Sequence, residues 1–154
     1  PYRRQRQMCI RDRGALLYPL EGDTFALDMV IKPERYHEFG IALHVDKELE
    51  TGYFLRMNPK NQLVAWDMWP RGEQGRYQWQ IKGDVPYQIE TARKLPKAEE
   101  YRVHIIKEKD ICVVYINDEI VLSTRMYNHK DGYAGIYVVQ GNVKLIQYKE
   151  KRSE

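Results

Sequence analysis

Residues 101–126 read YRVHIIKEKDICVVYINDEIVLSTRM, and this stretch decides the fold. Apolar and polar side chains alternate through Tyr101–Lys107, Ile111–Ile116 and Ile120–Met126. Alternation with a period of two over about 4–8 residues indicates half-buried strands. Asn117-Asp118 separates the last two runs, and both residue types tolerate the positive φ of a tight turn. The stretch therefore predicts consecutive β-strands, the last two joined as a hairpin.

The same alternation continues on both sides of this stretch. The further runs are Phe25–Lys32, Phe39–Asp46, Tyr53–Asn58, Leu63–Trp69, Tyr87–Thr91, Tyr133–Val139 and Val143–Tyr148. Turn-forming residues lie between several of them, including Asn58-Pro59-Lys60-Asn61 and Gln140-Gly141-Asn142. About ten short strands, with turns roughly every 8–12 residues, indicate a sandwich or a barrel. We favour an all-β fold in which two antiparallel sheets form a jelly-roll β-sandwich.

The first thirteen residues differ in character from the rest of the chain. Met8–Arg13 can be encoded by ATG TGT ATA AGA GAC AG, which resembles the end of a transposase-based sequencing adapter. Arg4-Gln5 and Arg6-Gln7 can each be encoded by AGA CAG, the last bases of the same adapter. We therefore interpret residues 1–13 as a disordered, translated artefact that precedes a fragment of a longer protein. The expected organisation is one β-sandwich domain over residues 14–149 and a charged, frayed tail over residues 150–154.

This interpretation changes what the charge of the chain implies. The sequence has 25 Lys and Arg against 22 Asp and Glu, a net charge of +3. Five Arg and one Asp lie in the first thirteen residues, so 20 basic and 21 acidic residues remain, a net charge of −1. We therefore expect no nucleic acid as a partner. We expect no membrane either, because no apolar run reaches the roughly 18 residues of a span. Cys112 alone remains, so an internal disulfide is impossible and both a cytoplasmic and a secreted location stay open.

Several charged and aromatic residues fall at positions that alternate away from the predicted core. If their strands are neighbours, these side chains share one face of a sheet. Carboxylates and guanidinium groups form hydrogen bonds with the vicinal hydroxyls of a sugar, and an indole covers the apolar face of its ring. The predicted carbohydrate-binding residues are Glu50, Arg56, Asp67, Trp69, Arg71 and Glu90.

The alternative interpretation is a solvated sheet face crossed by weak ion pairs, such as Arg56 with Glu50. Trp66 is expected in the core and Trp69 at the surface, and Cys112 is expected to be a small core residue. The four His lie in separate segments without the spacing of a zinc site. The sequence has no calcium-binding loop, nucleophile elbow or glycine-rich phosphate loop. We therefore expect no metal, no cofactor and no catalytic residue.

Three segments resemble one known family. Residues 111–127, ICVVYINDEIVLSTRMY, resemble the C-terminal β-sandwich of glycoside hydrolase family 32, where a strand ending in Asn-Asp turns into a strand that ends in two Ser or Thr, Arg and an aromatic residue. Residues 39–56 and 63–71 are similar to the same domain, and the match spans roughly residues 24–148. The sequence departs from the family pattern in two places. The family often has Glu where Val113 or Val114 stands, and Gly where Glu119 stands.

The resemblance implies a concanavalin A-like, non-catalytic domain. Family 32 enzymes hydrolyse β-fructosides such as sucrose, inulin and levan in an N-terminal propeller, whose motifs this chain lacks. In some members the sandwich is similar to carbohydrate-binding module family 66, which holds the terminal fructose of fructans. We therefore expect an accessory domain, not an enzyme, that binds a fructan or fructoside and accompanies a catalytic propeller of the same protein. The alternative is a purely structural domain that supports the propeller and has no ligand.

Overall fold

The computed structural model describes residues 2–5, 8–36, 38–69 and 87–152. Over these residues the chain forms eleven strands and one short 3-10 turn, Pro59–Asn61. In chain order the strands are β1 Tyr2–Gln5, β2 Met8–Pro19, β3 Thr24–Arg35, β4 Glu38–Val45, β5 Gly52–Asn58, β6 Leu63–Trp69, β7 Tyr87–Gln88, β8 Tyr101–Glu108, β9 Ile111–Ile116, β10 Ile120–Arg125 and β11 Tyr133–Arg152.

The strands form two layers that share β11. The front sheet has the order β7-β6-β5-β4 and then the first half of β11, with β2 on the other side of β11. The back sheet has the order β10-β9-β8-β3 and then the second half of β11. Every pairing between the described strands is antiparallel. The predicted all-β, antiparallel class is therefore confirmed.

The core lies between the two layers. Phe39 and Trp66 of the front sheet and Leu27 and Ile105 of the back sheet are fully buried in one cluster. The rings of Phe39 and Tyr101 meet across the gap, with their centroids 6.0 Å apart. Each large apolar side chain buried in this way contributes about 1.5–3 kcal/mol. The expected core positions of Trp66 and Cys112 are confirmed, because both have no exposed surface.

The Asn117-Asp118 hairpin forms as predicted. Asn117 and Asp118 have φ values of 52° and 55°, in the left-handed region, and Ile116 lies opposite Ile120, so residues 117–119 form the hairpin loop. The Oδ1 atom of Asn117 accepts a hydrogen bond of 2.7 Å from the backbone N–H of Arg102. This contact ties the turn to the start of β8, the strand that pairs with β9.

The turn predicted at Gln140-Gly141-Asn142 is wrong, because β11 runs through it without a break. Gln140 has a φ of 52°, and the pairing with β2 shifts register between Val139 and Gly141. These features define a β-bulge, which bends the strand from one layer into the other. A Cβ atom on Gly141 would lie 1.9 Å from the carbonyl oxygen of Arg35, so the bulge requires glycine.

Residues 2–5, 8–13 and 150–152 form strands where the sequence predicted none. The backbones of Tyr2–Gln5 and residues 8–13 pair with β11, so the expectation of disorder is wrong there, although their foreign origin stays a prediction. The pairing has a general cause, because an open strand edge offers backbone groups to any extended segment. At the other end residues 150–152 belong to β11 rather than to a frayed tail. Glu150 is 1% exposed, and the Nε atom of Arg152 donates to its Oε1 atom at 2.5 Å.

Candidate functional site

Arg56 and Asp67 meet on the outer face of the front sheet. In the β5–β6 register Phe54 lies opposite Asp67, and Leu55 lies opposite Trp66. Because Leu55 and Trp66 point into the core, their neighbours along each strand point outward. The Nε atom of Arg56 lies 3.2 Å from the Oδ2 atom of Asp67. The structure therefore brings together two of the predicted residues, and it pairs Arg56 with Asp67 rather than with Glu50.

The carboxylate of this ion pair is buried, whereas the guanidinium group is partly exposed to solvent. Asp67 is 4% exposed, whereas the side chain of Arg56 is 31% exposed. Burial raises the pKa of Asp67, the charge of Arg56 opposes that shift, and Glu38 adds to it. The Nε–H group of Arg56 is within ion-pair distance but is not directed at an acceptor among the described residues. The Nε atom itself is buried, so only the two Nη groups of the guanidinium can offer donors towards solvent.

Tyr137 of β11 extends this face beyond β4. Its ring packs edge to face on Phe54, with centroids 5.7 Å apart, and the residue is 7% exposed. Burial raises the pKa of Tyr137 well above its ordinary value, and the charges of Glu38 and Asp67 raise it further. Arg56 lowers it. The hydroxyl therefore keeps its proton and remains a hydrogen-bond donor beside two carboxylates.

A groove of about 740 Å³ opens next to Tyr137. Leu17 of β2 and Tyr133 of β11 line it, and so does the β4–β5 loop through Lys47 and Leu49. The Nζ atom of Lys47 lies 5.5 Å from the centroid of the Tyr133 ring. Pockets for small ligands span about 300–1,000 Å³ and combine apolar walls with a few polar groups. Tyr137 lines this groove, whereas Arg56 and Asp67 do not, so Tyr137 connects the groove with the ion pair.

Trp69 and Glu50 lie at the same end of the front sheet. Trp69 ends β6 opposite Gly52, has the same outward parity as Asp67 and is partly exposed. Glu50 is exposed in the β4–β5 loop, where its backbone N–H donates to the Oδ1 atom of Asp46 at 2.7 Å. Both residues therefore lie at the rim of the face that carries Asp67.

Two predicted residues are not brought into the site. Glu90 is exposed just after β7, outside any strand, and none of the described contacts joins its side chain to Arg56 or Asp67. The residue of β7 that does lie opposite Asp67 is Gln88. Arg71 lies outside the described residues.

Two residues of this face were not found by sequence reasoning. Glu38 precedes the buried Phe39 by one position, so its outward parity was visible in the pattern. Tyr137 lies in the apolar run Tyr133–Val139, and nothing in that run distinguishes it from a core residue. Only the pairing of Tyr137 with Gly40 of β4 places it near Arg56.

Within the described ranges, no group of three or more His, Cys, Asp and Glu side chains could hold a metal ion. The same residues contain no helix with the length and apolar character needed to cross a membrane.

No protein-family model and no curated protein matches this sequence. Solved structures do match its fold. The carbohydrate-binding module CBM66 from Bacillus subtilis superimposes with a TM-score of 0.72 at 17% identity, covering 93% of this chain and 85% of that one. The β-fructofuranosidase of Aspergillus kawachii, complexed with glycerol, gives a TM-score of 0.71 at 10% identity, covering 99% of this chain and 27% of that one. The fructofuranosidase of Schwanniomyces occidentalis, complexed with fructose, gives 0.68 at 11% identity, covering 99% and 33%.

These neighbours are the two groups that the sequence resemblance predicted, a module of family 66 and enzymes of glycoside hydrolase family 32. At identities of 10–17% the likeness shows the fold, so the predicted two-sheet antiparallel β-sandwich is confirmed. This chain spans a third or less of the length of the two fructofuranosidases.

Proposed function

We propose that this chain is a non-catalytic carbohydrate-binding domain that holds the chain end of a fructan or fructoside on the outer face of the front sheet. The observation that carries the proposal is the Arg56–Asp67 ion pair, 3.2 Å apart, whose guanidinium group is partly exposed on the same sheet face as Tyr137, a residue that lines an apolar groove. A surface ion pair would have both partners solvated, whereas here the carboxylate is almost fully buried. The buried carboxylate of Asp67 holds the partly exposed guanidinium group of Arg56 in one orientation. Polar groups held in place in this way are typical of ligand sites.

Each group has a role that its chemistry allows. Arg56 donates to vicinal hydroxyls of the sugar, and Asp67 orients it. Tyr137 donates from its protonated hydroxyl, and Glu38 accepts. Trp69 covers the apolar face of the ring from the rim, and Glu50 accepts there. Glu90 and Arg71 remain candidates for contacts with a second residue of a longer chain.

In this proposal the domain accompanies a catalytic propeller elsewhere in the same protein. The competing function is structural support for that propeller without a ligand. The observation that favours the competitor is the apolar outer face of the back sheet, where Ile106 is 41%, Ile111 47% and Val121 48% exposed. The two functions predict different behaviour towards sugars.

Affinity electrophoresis in gels that contain levan, inulin or xylan tests the proposal. The proposal expects the fructans to retard the protein more than xylan does. Because one sugar offers few heavy atoms, the dissociation constant should lie between about 1 µM and 1 mM. Arg56→Lys keeps the charge but loses the planar fork of donors, and Tyr137→Phe removes only the hydroxyl. Both variants should reduce the retardation severalfold, and Trp69→Ala should do the same.

Arg102→Lys is the matched control, because Arg102 is exposed on β8 of the back sheet. It should be retarded like the unchanged protein. Equal retardation by all three polymers, or identical retardation of Arg56→Lys and the unchanged protein, would favour structural support.

A further inference from the structure

The back sheet ends at β10, and one side of this strand has no neighbour among the described strands. β10 pairs with β9 along its whole length, from Ile120 opposite Ile116 to Arg125 opposite Ile111. Its other side presents backbone N–H and C=O groups over six residues. Proteins usually guard such an edge with proline, a bulge or an inward-pointing charge. The strand IVLSTR has no proline, pairs without a register shift, and has uncharged Leu122 and Thr124 at its buried positions.

The surface next to this edge is apolar. Val121 is 48% exposed and lies directly opposite Tyr115 of β9, which is 36% exposed. Ile106 and Ile111 are 41% and 47% exposed on the same three strands. These four are among only five large apolar side chains that are exposed in the described part of the chain. A partner that continues the sheet would remove part of this surface from water.

The charges at the two ends of β10 make the strand complementary to itself. Two copies of β10 can pair antiparallel about a twofold axis at Leu122, so that the two Leu122 residues face each other. In this register Val121 of each copy lies opposite Ser123 of the other, and Glu119 lies opposite Arg125. Glu119 and Arg125 are both exposed, and neither forms an ion pair with any residue that the structure describes. Opposite charges placed directly across an antiparallel pair stabilise it.

We propose that this protein forms a symmetric dimer in which β10 of one copy pairs with β10 of a second copy and joins the two back sheets into one. The contact is isologous, so each of its interactions occurs twice, including two Glu119–Arg125 pairs. Backbone hydrogen bonds between the two β10 strands stabilise the dimer, and the charges of Glu119 and Arg125 determine its register. The sugar-binding face lies on the other layer, so this inference does not depend on the proposed function.

Sedimentation velocity over a wide concentration range tests the dimer. The unchanged protein should shift from monomer to dimer as its concentration rises. Arg125→Glu places two like charges at each end of the interface, and Glu119→Arg does the same with the opposite sign. Each single reversal should weaken dimerisation at least tenfold, and the double variant Glu119→Arg/Arg125→Glu should restore it. Added salt should weaken the dimer of the unchanged protein, because exposed ion pairs are screened.

Arg102→Glu is the control, since Arg102 is exposed on β8, two strands from the edge. This variant should dimerise like the unchanged protein, and circular dichroism should show that every variant is folded. A protein that stays monomeric at all concentrations overturns the proposal. A dimer that tolerates both single reversals also overturns it, and would assign the contact to another surface, such as the apolar outer face.

Discussion

Lys107, buried between the two layers, determines the tautomer and the charge of His44. Lys107 is 1% exposed, and its Nζ atom lies 2.7 Å from the Nε2 atom of His44. The Nδ1 atom of His44 lies 2.8 Å from the carbonyl oxygen of Asp131. An ammonium group only donates, so Nε2 must accept and the ring proton must be on Nδ1, which donates to Asp131. The geometry therefore requires neutral His44, and burial, aided by Lys107, lowers its pKa to about 4.

Acid should therefore destabilise this protein through His44. The unfolded chain takes up the proton near pH 6.5 and the folded chain only near pH 4, so stability is lost as the pH falls through that window. The loss should be about 3 kcal/mol over the whole window. Urea unfolding at several pH values between 7 and 4 measures it. His44→Gln keeps an acceptor for Lys107 and a donor for Asp131 but cannot titrate, so its stability should fall much less.

Burial also lowers the pKa of His129, so acid destabilises both proteins through that residue, and the difference between their profiles measures His44 together with its coupling to His129. Parallel stability profiles of the unchanged protein and His44→Gln would contradict the assignment.

Gly40 is a second position where one residue type is required. A Cβ atom there would lie 2.1 Å from the carbonyl oxygen of Leu55 and 2.9 Å from the hydroxyl of Tyr137. Because the nearer atom belongs to the backbone of a paired strand, it cannot move aside cheaply. Gly40→Ala should cost at least about 3 kcal/mol of unfolding free energy, near the upper end for overpacked sites. Thermal unfolding measures the loss.

Gly22→Ala is the matched comparison. No atom lies within 4 Å of the Cβ position of Gly22, but its φ of 79° disfavours alanine. Strain alone should cost about 1–3 kcal/mol. A smaller loss for Gly40→Ala than for Gly22→Ala would show that the front sheet accommodates the methyl group.

Among the elements, alternation predicts strands well where one face is buried and the other is solvated. β8, β9 and β10 follow it residue by residue. It fails at His44, which shares the parity of Asp46 but is buried with a φ of 55°. It fails again at β11, where Gln140-Gly141-Asn142 reads as a turn. At both positions the pairing register shifts by a bulge, and the side chains beyond it point to the opposite face of the sheet. A bulge and a turn favour the same residue types, so the local sequence does not distinguish them.

Deletion of residues 1–13, which include β1 and the first half of β2, tests whether this segment belongs to the fold. If residues 1–13 are a translated adapter, a protein that starts at Gly14 should fold and unfold within a few degrees of the full chain. The reason is that residues 14–19 of β2 keep their pairing with β11. Differential scanning calorimetry compares the two proteins. A fall in melting temperature of more than about 4 °C, which is about 1 kcal/mol of stability in a domain of this size, would show that the segment belongs to the fold.

For the whole molecule, the residues of the candidate site could be predicted only in part. Parity along β5 and β6 placed Arg56, Asp67 and Trp69 on one face, because those strands are consecutive and joined by a short turn. Tyr137 reaches the same face through a pairing between strands about 100 residues apart in the chain, and sequence pattern carries little information on such contacts. Fold class depends on local alternation, whereas a binding face depends on which distant strands become neighbours.

The chain by itself should not hydrolyse fructosides. Retaining hydrolysis needs two carboxyl groups about 5 Å apart across the scissile bond, supplied in family 32 by the propeller. Incubation of the purified protein with sucrose, inulin and levan should release no fructose above the blank. Sustained release that a point substitution such as Asp67→Asn abolishes would show that the chain is an enzyme.

Strand β11, which carries the bulge, couples the unfolding of the two sheets. Its twenty residues supply hydrogen-bonding partners to both sheets, so neither layer can peel away while the other remains intact. Opening of either sheet must release the same strand, and this couples the two layers into one cooperative unit. Backbone amides along β11 should therefore exchange with solvent deuterium only when the whole domain opens, and they should report its global stability.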